Sequence, residues 1–475
     1  MTRPTNSWAE LFSTGGLAIA IIAGGTGLQA IEGFIASSML PTVVKDIGGL
    51  QLFAWNTTLF VVASIMATLF AAVRPASIGP RLGYIISAAA FGIGSLICGL
   101  APDMIVLLTG RFVQGFGAGL IIAQSFAMLR LAFPEHLWPR AMALNATIWG
   151  VATLLGPAAG GIFAELGLWR WAFLAIVPAS TLLAASAWRV LPARGETHKP
   201  ARFPLKQIFL VTAAVLDISI ASLLTGSPDI AAALVMFGLL GILLLGLADT
   251  YSRTRLLPEG AFSPTSPMSG LLALVLVLGL TITSDIFAPL FLQRLHGLSP
   301  LSAGYITALA AGGWSLAAII GSGWTGVRVR IAMLVAPVLM LMSTLGLAAA
   351  FFRPAPGDWP PLALASISLF LLGSGIGLAF QHLSTRVLAS ARPGENDRVS
   401  AALGMVQLFA SGLGAAFGGV IVNAAGLPHA ANSIEVAISA QWLYGGFALI
   451  AALGIPFALL VPRGVGREAR LQAAE

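Results

Sequence analysis

A glycine pattern occurs twice in this chain, 258 residues apart, and both copies lie inside long apolar runs. Gly156-Pro157-Ala158-Ala159-Gly160-Gly161 returns as Gly414-Ala415-Ala416-Phe417-Gly418-Gly419. The same offset takes Gly115, Gly117 and Gly119 onto Gly373, Gly375 and Gly377, and Arg140 onto Arg398. A register kept by several glycines and an arginine, in a chain with only 54 glycines, marks a duplication. Small residues let membrane helices approach closely. The chain is therefore expected to fold as two related membrane bundles, an arrangement in which a substrate is commonly held between the halves.

Composition sets the solvent. The hydrophobic fraction is 57 %, charged residues make up 9 %, and the mean hydropathy is +0.92. A soluble domain is nearer 25 % charged, so most of this surface must face lipid. The net charge of +7 does not point to nucleic acid, because the basic residues are scattered over short loops rather than gathered on one face. One cysteine, Cys98, excludes an intramolecular disulfide framework, and no metal cluster is expected. The polar start, Met1 to Phe12, has no basic stretch leading into a cleavable apolar core, so no signal peptide is expected.

A bilayer core of about 30 Å needs about 20 apolar residues per helix. Apolar runs broken by charge, proline and glycine give fourteen spans, at roughly 15–43, 54–75, 82–101, 104–131, 139–165, 171–191, 207–226, 229–250, 269–295, 301–323, 329–352, 361–385, 397–425 and 436–461. The domains follow: a six-helix bundle at 1–191, a linker at 192–206, two additional spans at 207–250, a linker at 251–268, a second six-helix bundle at 269–462 and a tail at 463–475. With the N-terminus cytoplasmic, cytoplasmic loops and tails hold 20 of the 25 Lys and Arg residues. The opposite side holds Lys45, Arg170, Arg294 and Arg353, and Arg111 lies inside a span. This bias satisfies the positive-inside rule and places both termini in the cytoplasm.

Four local patterns carry a resemblance to a known family. Gly110-Arg111-Phe112-Val113-Gln114-Gly115-Phe116-Gly117 is on span four, and Gly150 through Gly161 is on span five. Ile31-Glu32 followed by Leu40-Pro41 is on span one. Pro289-Leu290-Phe291-Leu292-Gln293, then Gly297-Leu298-Ser299-Pro300 and Ala303-Gly304, follows span nine. Together they resemble the major facilitator superfamily, and within it the fourteen-span drug:proton antiporter branch, over essentially the whole chain. The resemblance implies an all-α integral membrane protein of the major facilitator-type fold: two six-helix bundles plus two extra linker helices. It also implies a cytoplasmic gate between spans two and three. There Gly79 and Arg81 remain, but the usual aspartate is replaced by Ala76.

Ionisable groups inside a span are costly and are functional candidates by default. Four lie clearly within spans: Glu32, Arg111, Asp217 and Asp285. Glu32 sits mid-span among Gly24, Gly25, Gly27 and Gly33, and can take a proton from one side and release it to the other. The alternative is a structural carboxyl bonded to a neighbouring helix. Arg111 stays charged; it either modulates a nearby carboxylate or ties helices together, and its repeat position is Leu369. Asp285, in Thr281-Ile282-Thr283-Ser284-Asp285, is placed to face Glu32 from the opposite bundle and to bind a proton or a cationic substrate, unless it is nearer the outer surface and solvated. Asp217, on an extra span, is read as structural.

Gly115, Gly150, Gly156, Pro157, Gly160 and Gly161 are read as a conformational motif that brings span five close to a later span, on which the halves slide. Gln29, Asn145, Trp149, Gln381, His382 and Gln407 are candidate cavity residues, each with a helix-packing hydrogen bond as its plainer explanation. Asn56 belongs with them, while Trp138, Trp169, Trp171 and Trp359 fall near span ends, where aromatic anchoring is usual. No phosphate-binding Gly-x-x-x-x-Gly-Lys-Ser/Thr loop and no hydrolytic constellation occurs. The expectation is a secondary transporter of a bacterial inner membrane, not an enzyme, working as a monomer without a cofactor. Its partners are a small amphipathic or aromatic substrate, protons and the bilayer. Proton-coupled export leads. Uptake of an aromatic nutrient such as riboflavin, and a non-transporting sensor, are the alternatives.

Overall fold

The computed structural model describes residues 8–73, 78–132, 134, 137–193, 205–252, 255–263, 266–391 and 395–461. Ala76 and the tail from 463 lie outside them, as do the side chains of Asn145 and Trp138. Lipid offers backbone amides no hydrogen-bond partner, so long apolar runs must satisfy them internally as helices. The described residues are almost entirely helical. In the first half these are α1 (Trp8–Ile47), α2 (Trp55–Val73), α3 (Pro80–Gly99), α4 (Met104–Ala132), α5 (Trp138–Glu165), α6 (Trp169–Leu174) and α7 (Ile176–Val190). Two more, α8 (Leu205–Ala221) and α9 (Pro228–Tyr251), precede the second half. That half comprises α10 (Pro267–Ile282), α11 (Ala288–His296), α12 (Pro300–Gly321), α13 (Val327–Ala350), α14 (Trp359–Ala389), α15 (Asn396–Ala424) and α16 (Ser433–Leu460).

Thirteen of these stretches are long and apolar enough to cross a membrane. The remaining expected span is α8, whose 17 residues extend about 26 Å at ~1.5 Å per residue, slightly short of the bilayer core. Span six is interrupted at Ala175 between α6 and α7. Span nine is broken by a 3-10 turn, Thr283–Phe287, between α10 and α11. After α11 the chain reverses at Gly297, whose φ of +67° is a conformation that favours glycine.

The chain divides into two compact units. One holds Met1–Gly49, Leu59–Phe203 and Ser299–Tyr305; the other holds Leu50–Thr58, Pro204–Leu298 and Ile306–Glu475. Within the first, α4 lies on α2 through Gly115 and Gly119. A methyl on either would strike the backbone carbonyl of Phe60 or of Ser64. Within the second, Gly373 and Gly377 put α14 on α12 in the same way, against the carbonyls of Ala310 and Trp314. Gly156 meets Ile31 and Phe34 of α1, while Gly414 meets Leu280 and Thr283 of the corresponding helix.

The glycine echo therefore reproduces contacts as well as sequence. Its register is not uniform, however. Helices four and five repeat at 258, whereas Leu280 and Thr283 follow Ile31 and Phe34 by 249. The loop after the third helix of each half, Leu100–Asp103 in one and Phe351–Asp358 in the other, contributes to this difference, being longer in the second half.

Candidate transport site

The seam between α3 and α4 positions the buried charges. Gly94 and Gly110 let the two backbones touch: a methyl on Gly94 would meet the backbone of Gln114, and one on Gly110 would meet Cys98. This close approach holds Arg111 and Gln114, three residues apart on one face of α4, toward the bundle interior. Arg111 donates to Glu32 of α1 in a buried ion pair; the two side chains are 4 % and 0 % exposed. It also donates to Gln114 Oε1 at 2.5 Å, and its guanidinium lies 4.4 Å from the Phe60 ring centroid. Gln114 Nε2 donates to Ser95 Oγ at 2.9 Å, which extends the network to α3.

Glu32 is asymmetric in this network. One carboxylate oxygen accepts from Arg111, and the other, Oε2, is buried without a hydrogen-bond partner. A guanidinium cannot discharge in the interior, whereas a carboxyl can take a proton and release its cation. If the pair separates, the buried Arg111 charge is left to Gln114 Oε1 and the Phe60 ring. Gln114, Ser95 and Phe60 were not singled out as members of the network from sequence. The i, i+3 spacing of Arg111 and Gln114 was the available signal; Ser95 and Phe60 are distant in the chain and had none.

The other candidates fall in different places. Asp285 is in the second unit, on the 3-10 turn, partly buried, and forms no side-chain hydrogen bond or ion pair among the described residues. At the 249 offset its counterpart is Ala36, and the counterpart of Glu32 is Thr281, so the two carboxyls are not related by the repeat. Asp217 is partly exposed on α8. Gln29 is partly buried with an unpartnered Oε1, and Trp149 is 45 % exposed. Gln381 is exposed, Gln407 is partly buried, and His382 has an unpartnered Nε2 near Gly321.

Of the span-five motif, Gly156 and Gly160 pack on α1 beside Phe34, Ile35 and Ser38, within the first half. Gly161 abuts a later span, α12, at the backbone of Leu301, and Pro157 lies against Gly304 of the same span. Gly150 has open space where a side chain would project. Gly79 precedes α3, and Arg81 Nε donates to the Leu191 carbonyl at 2.8 Å, tying the start of α3 to the end of α7.

Residues 22–419 match the family described as the Major Facilitator Superfamily. The chain belongs to that superfamily. Among its relatives is the "Probable multidrug-efflux transporter Rv1634" of Mycobacterium tuberculosis (strain ATCC 25618 / H37Rv), 36 % identical over 95 % of both chains. The multidrug transporter protein MdtP of Bacillus subtilis (strain 168) is 25 % identical over 83 % of this chain and 73 % of its own. Solved structures with the same fold include a POT family transporter, with a TM-score of 0.64, 13 % identity and 93 % and 95 % of the two chains covered. A D-xylose-proton symporter gives 0.61, with 16 % identity and coverage of 95 % and 98 %. This superfamily member is accordingly a multi-pass membrane transporter of small molecules, and not an enzyme.

Proposed function

We propose that this transporter exports small amphipathic molecules across a bacterial cytoplasmic membrane in exchange for protons, by alternating access, with both termini cytoplasmic. The observation that carries the coupling is the buried Glu32–Arg111 pair, in which one carboxylate oxygen is bound and the other is unpartnered. Protonation of Glu32 releases Arg111 to Gln114 and the Phe60 face. Deprotonation draws it back. Each exchange moves a proton down a membrane potential worth about 2.3 kcal/mol per charge per 100 mV. Export as the direction is supported by the name of the Mycobacterium tuberculosis relative, a probable multidrug-efflux transporter that matches 95 % of the chain.

The test uses everted membrane vesicles carrying a pH-sensitive dye. Substrate addition should dissipate an imposed pH gradient with the native chain and not with Glu32→Gln, while whole energised cells accumulate less substrate than cells without the gene. Higher accumulation would establish uptake instead. Gradient dissipation that survives Glu32→Gln unchanged would remove Glu32 from the coupling step.

A further inference from the structure

Each compact unit takes in a short piece of the other half of the chain. Leu50–Thr58, at the start of α2, belongs with the second unit, and Ser299–Tyr305, at the start of α12, belongs with the first. Each piece is clasped by the fifth span of the half it joins, at positions related by the 258 offset. On α5, Gly161 leaves room for the backbone of Leu301, and Glu165 Oε1 accepts from the Leu301 N–H at 3.3 Å. On α15, a methyl on Gly419 would strike Ala54 Cβ, and Asn423 Nδ2 donates to the Gln51 carbonyl at 2.8 Å.

The two clasps share a plan and differ in how firmly they hold. Glu165 is exposed, so water can replace its bond to Leu301. Asn423 is 2 % exposed, and its amide nitrogen makes a second bond, to the Ser222 carbonyl at 2.9 Å. A buried amide that lost these acceptors would be left unsatisfied, which costs more than the bonds themselves contribute. Ser222 lies in the turn between α8 and α9, so the extra helix pair joins this clasp. Its hydroxyl accepts from Nε1 of Trp55, the first residue of α2, at 3.3 Å. Ala54 and the Ser222 side chain both flank Gly419.

The clasped pieces are the ends of longer helices. From Leu59 onward α2 belongs with the first unit, and from Ile306 onward α12 belongs with the second. A rearrangement in which either helix moves with its longer part must release the clasp at its start. We propose that the extra pair α8–α9 is a brace: through Ser222 it holds the start of α2 on α15 and makes that clasp the harder of the two to open. With the orientation proposed above, both clasps lie at the outer ends of their helices. The brace then favours the state closed to the outside. This rests on the alternating-access reading and gives the two added helices a part in it.

The test uses single reporter cysteines, Ala54→Cys for the braced clasp and Leu301→Cys for the other, each with Cys98→Ser. Labelling by a membrane-impermeant maleimide is followed in right-side-out vesicles without substrate. Trp55→Phe and Ser222→Ala delete one hydrogen bond from its two ends, and each should speed labelling of Ala54→Cys about threefold to fivefold. Asn423→Ala should speed it more than about tenfold. All three should leave Leu301→Cys within about twofold of its rate in the otherwise native chain, and Glu165→Gln should leave both reporters within that range. Unchanged labelling of Ala54→Cys in Trp55→Phe and Ser222→Ala overturns the brace, as does an equal rise at both reporters, which would mean general loosening. If the reporters respond as expected in a chain that does not exchange substrate for protons, the brace stands and the coupling reading fails.

Discussion

The Glu32–Arg111 pair yields a quantitative test of how its charge is held. Glu32→Leu leaves a guanidinium that is 4 % exposed with no anion, and this group cannot shed its proton. Removing one partner of a buried pair costs about 3–5 kcal/mol. Gln114 Oε1 remains as an acceptor at 2.5 Å and the Phe60 ring at 4.4 Å, so the cost belongs at the lower end, about 3 kcal/mol.

Glu32→Gln keeps an acceptor oxygen and loses the charge. A hydrogen bond to a charged group is worth about 1 kcal/mol more than a neutral one, so this variant should lose about 1–2 kcal/mol. Arg111→Met leaves a carboxyl that can neutralise itself by binding a proton, and should lose about 2 kcal/mol. The double variant Glu32→Leu/Arg111→Met replaces the pair with apolar groups and should come within about 1 kcal/mol of the native chain. The single changes sum to about 5 kcal/mol, so the double variant falls short of that sum by at least about 4 kcal/mol.

Cys98 supplies the assay. It is the chain's one cysteine, fully buried on α3 against Gly110, so a thiol-reactive fluorophore reports unfolding in mixed micelles from inside the same core. Additive losses in the double variant would refute the argument, because they would mean that neither charge depends on the other.

Three further outcomes follow from the packing. Gly115→Ala and Gly373→Ala drive a methyl into the backbone carbonyls of Phe60 and Ala310, which have no rotamer to escape through, and should each cost about 1–3 kcal/mol. Gly150→Ala, with open space around it, should be neutral by the same dye assay; a loss at Gly150 matching that at Gly373 would contradict this account. Asn423→Ala removes the donor to the Gln51 and Ser222 carbonyls, at 2.8 and 2.9 Å, and should lower the melting temperature by the equivalent of about 1–3 kcal/mol. Arg170→Gln breaks a pair with Asp46 whose side chains are 40 % and 49 % exposed; it should change stability by no more than about 1 kcal/mol, and a larger loss would show that the pair is not solvent-screened.

The sequence by itself determined the class of fold, because lipid permits few solutions. Apolar runs of about 20 residues must become helices, and a glycine register of 258 residues means that both halves use the same close approaches. It also marked Glu32 and Arg111, since a charge in an apolar run is conspicuous without coordinates. What it could not supply was distance across the fold. Glu32 and Arg111 are 79 residues apart in the chain, and only the glycine seam of α3 on α4 turns Arg111 toward α1.

The second offset, 249, was equally hidden. It lies in contacts of Ile31 and Phe34 with Gly156, and of Leu280 and Thr283 with Gly414, and neither partner of the first glycine is identical to its counterpart in the second half. That offset pairs Asp285 with Ala36, and so separates two acids that the chain order alone had set side by side. Hydropathy and glycine spacing are local properties and can be read along one dimension. Which charge meets which partner depends on how helices close upon one another, and tertiary packing alone decided that, among the described residues, Glu32 has a counter-ion and Asp285 does not.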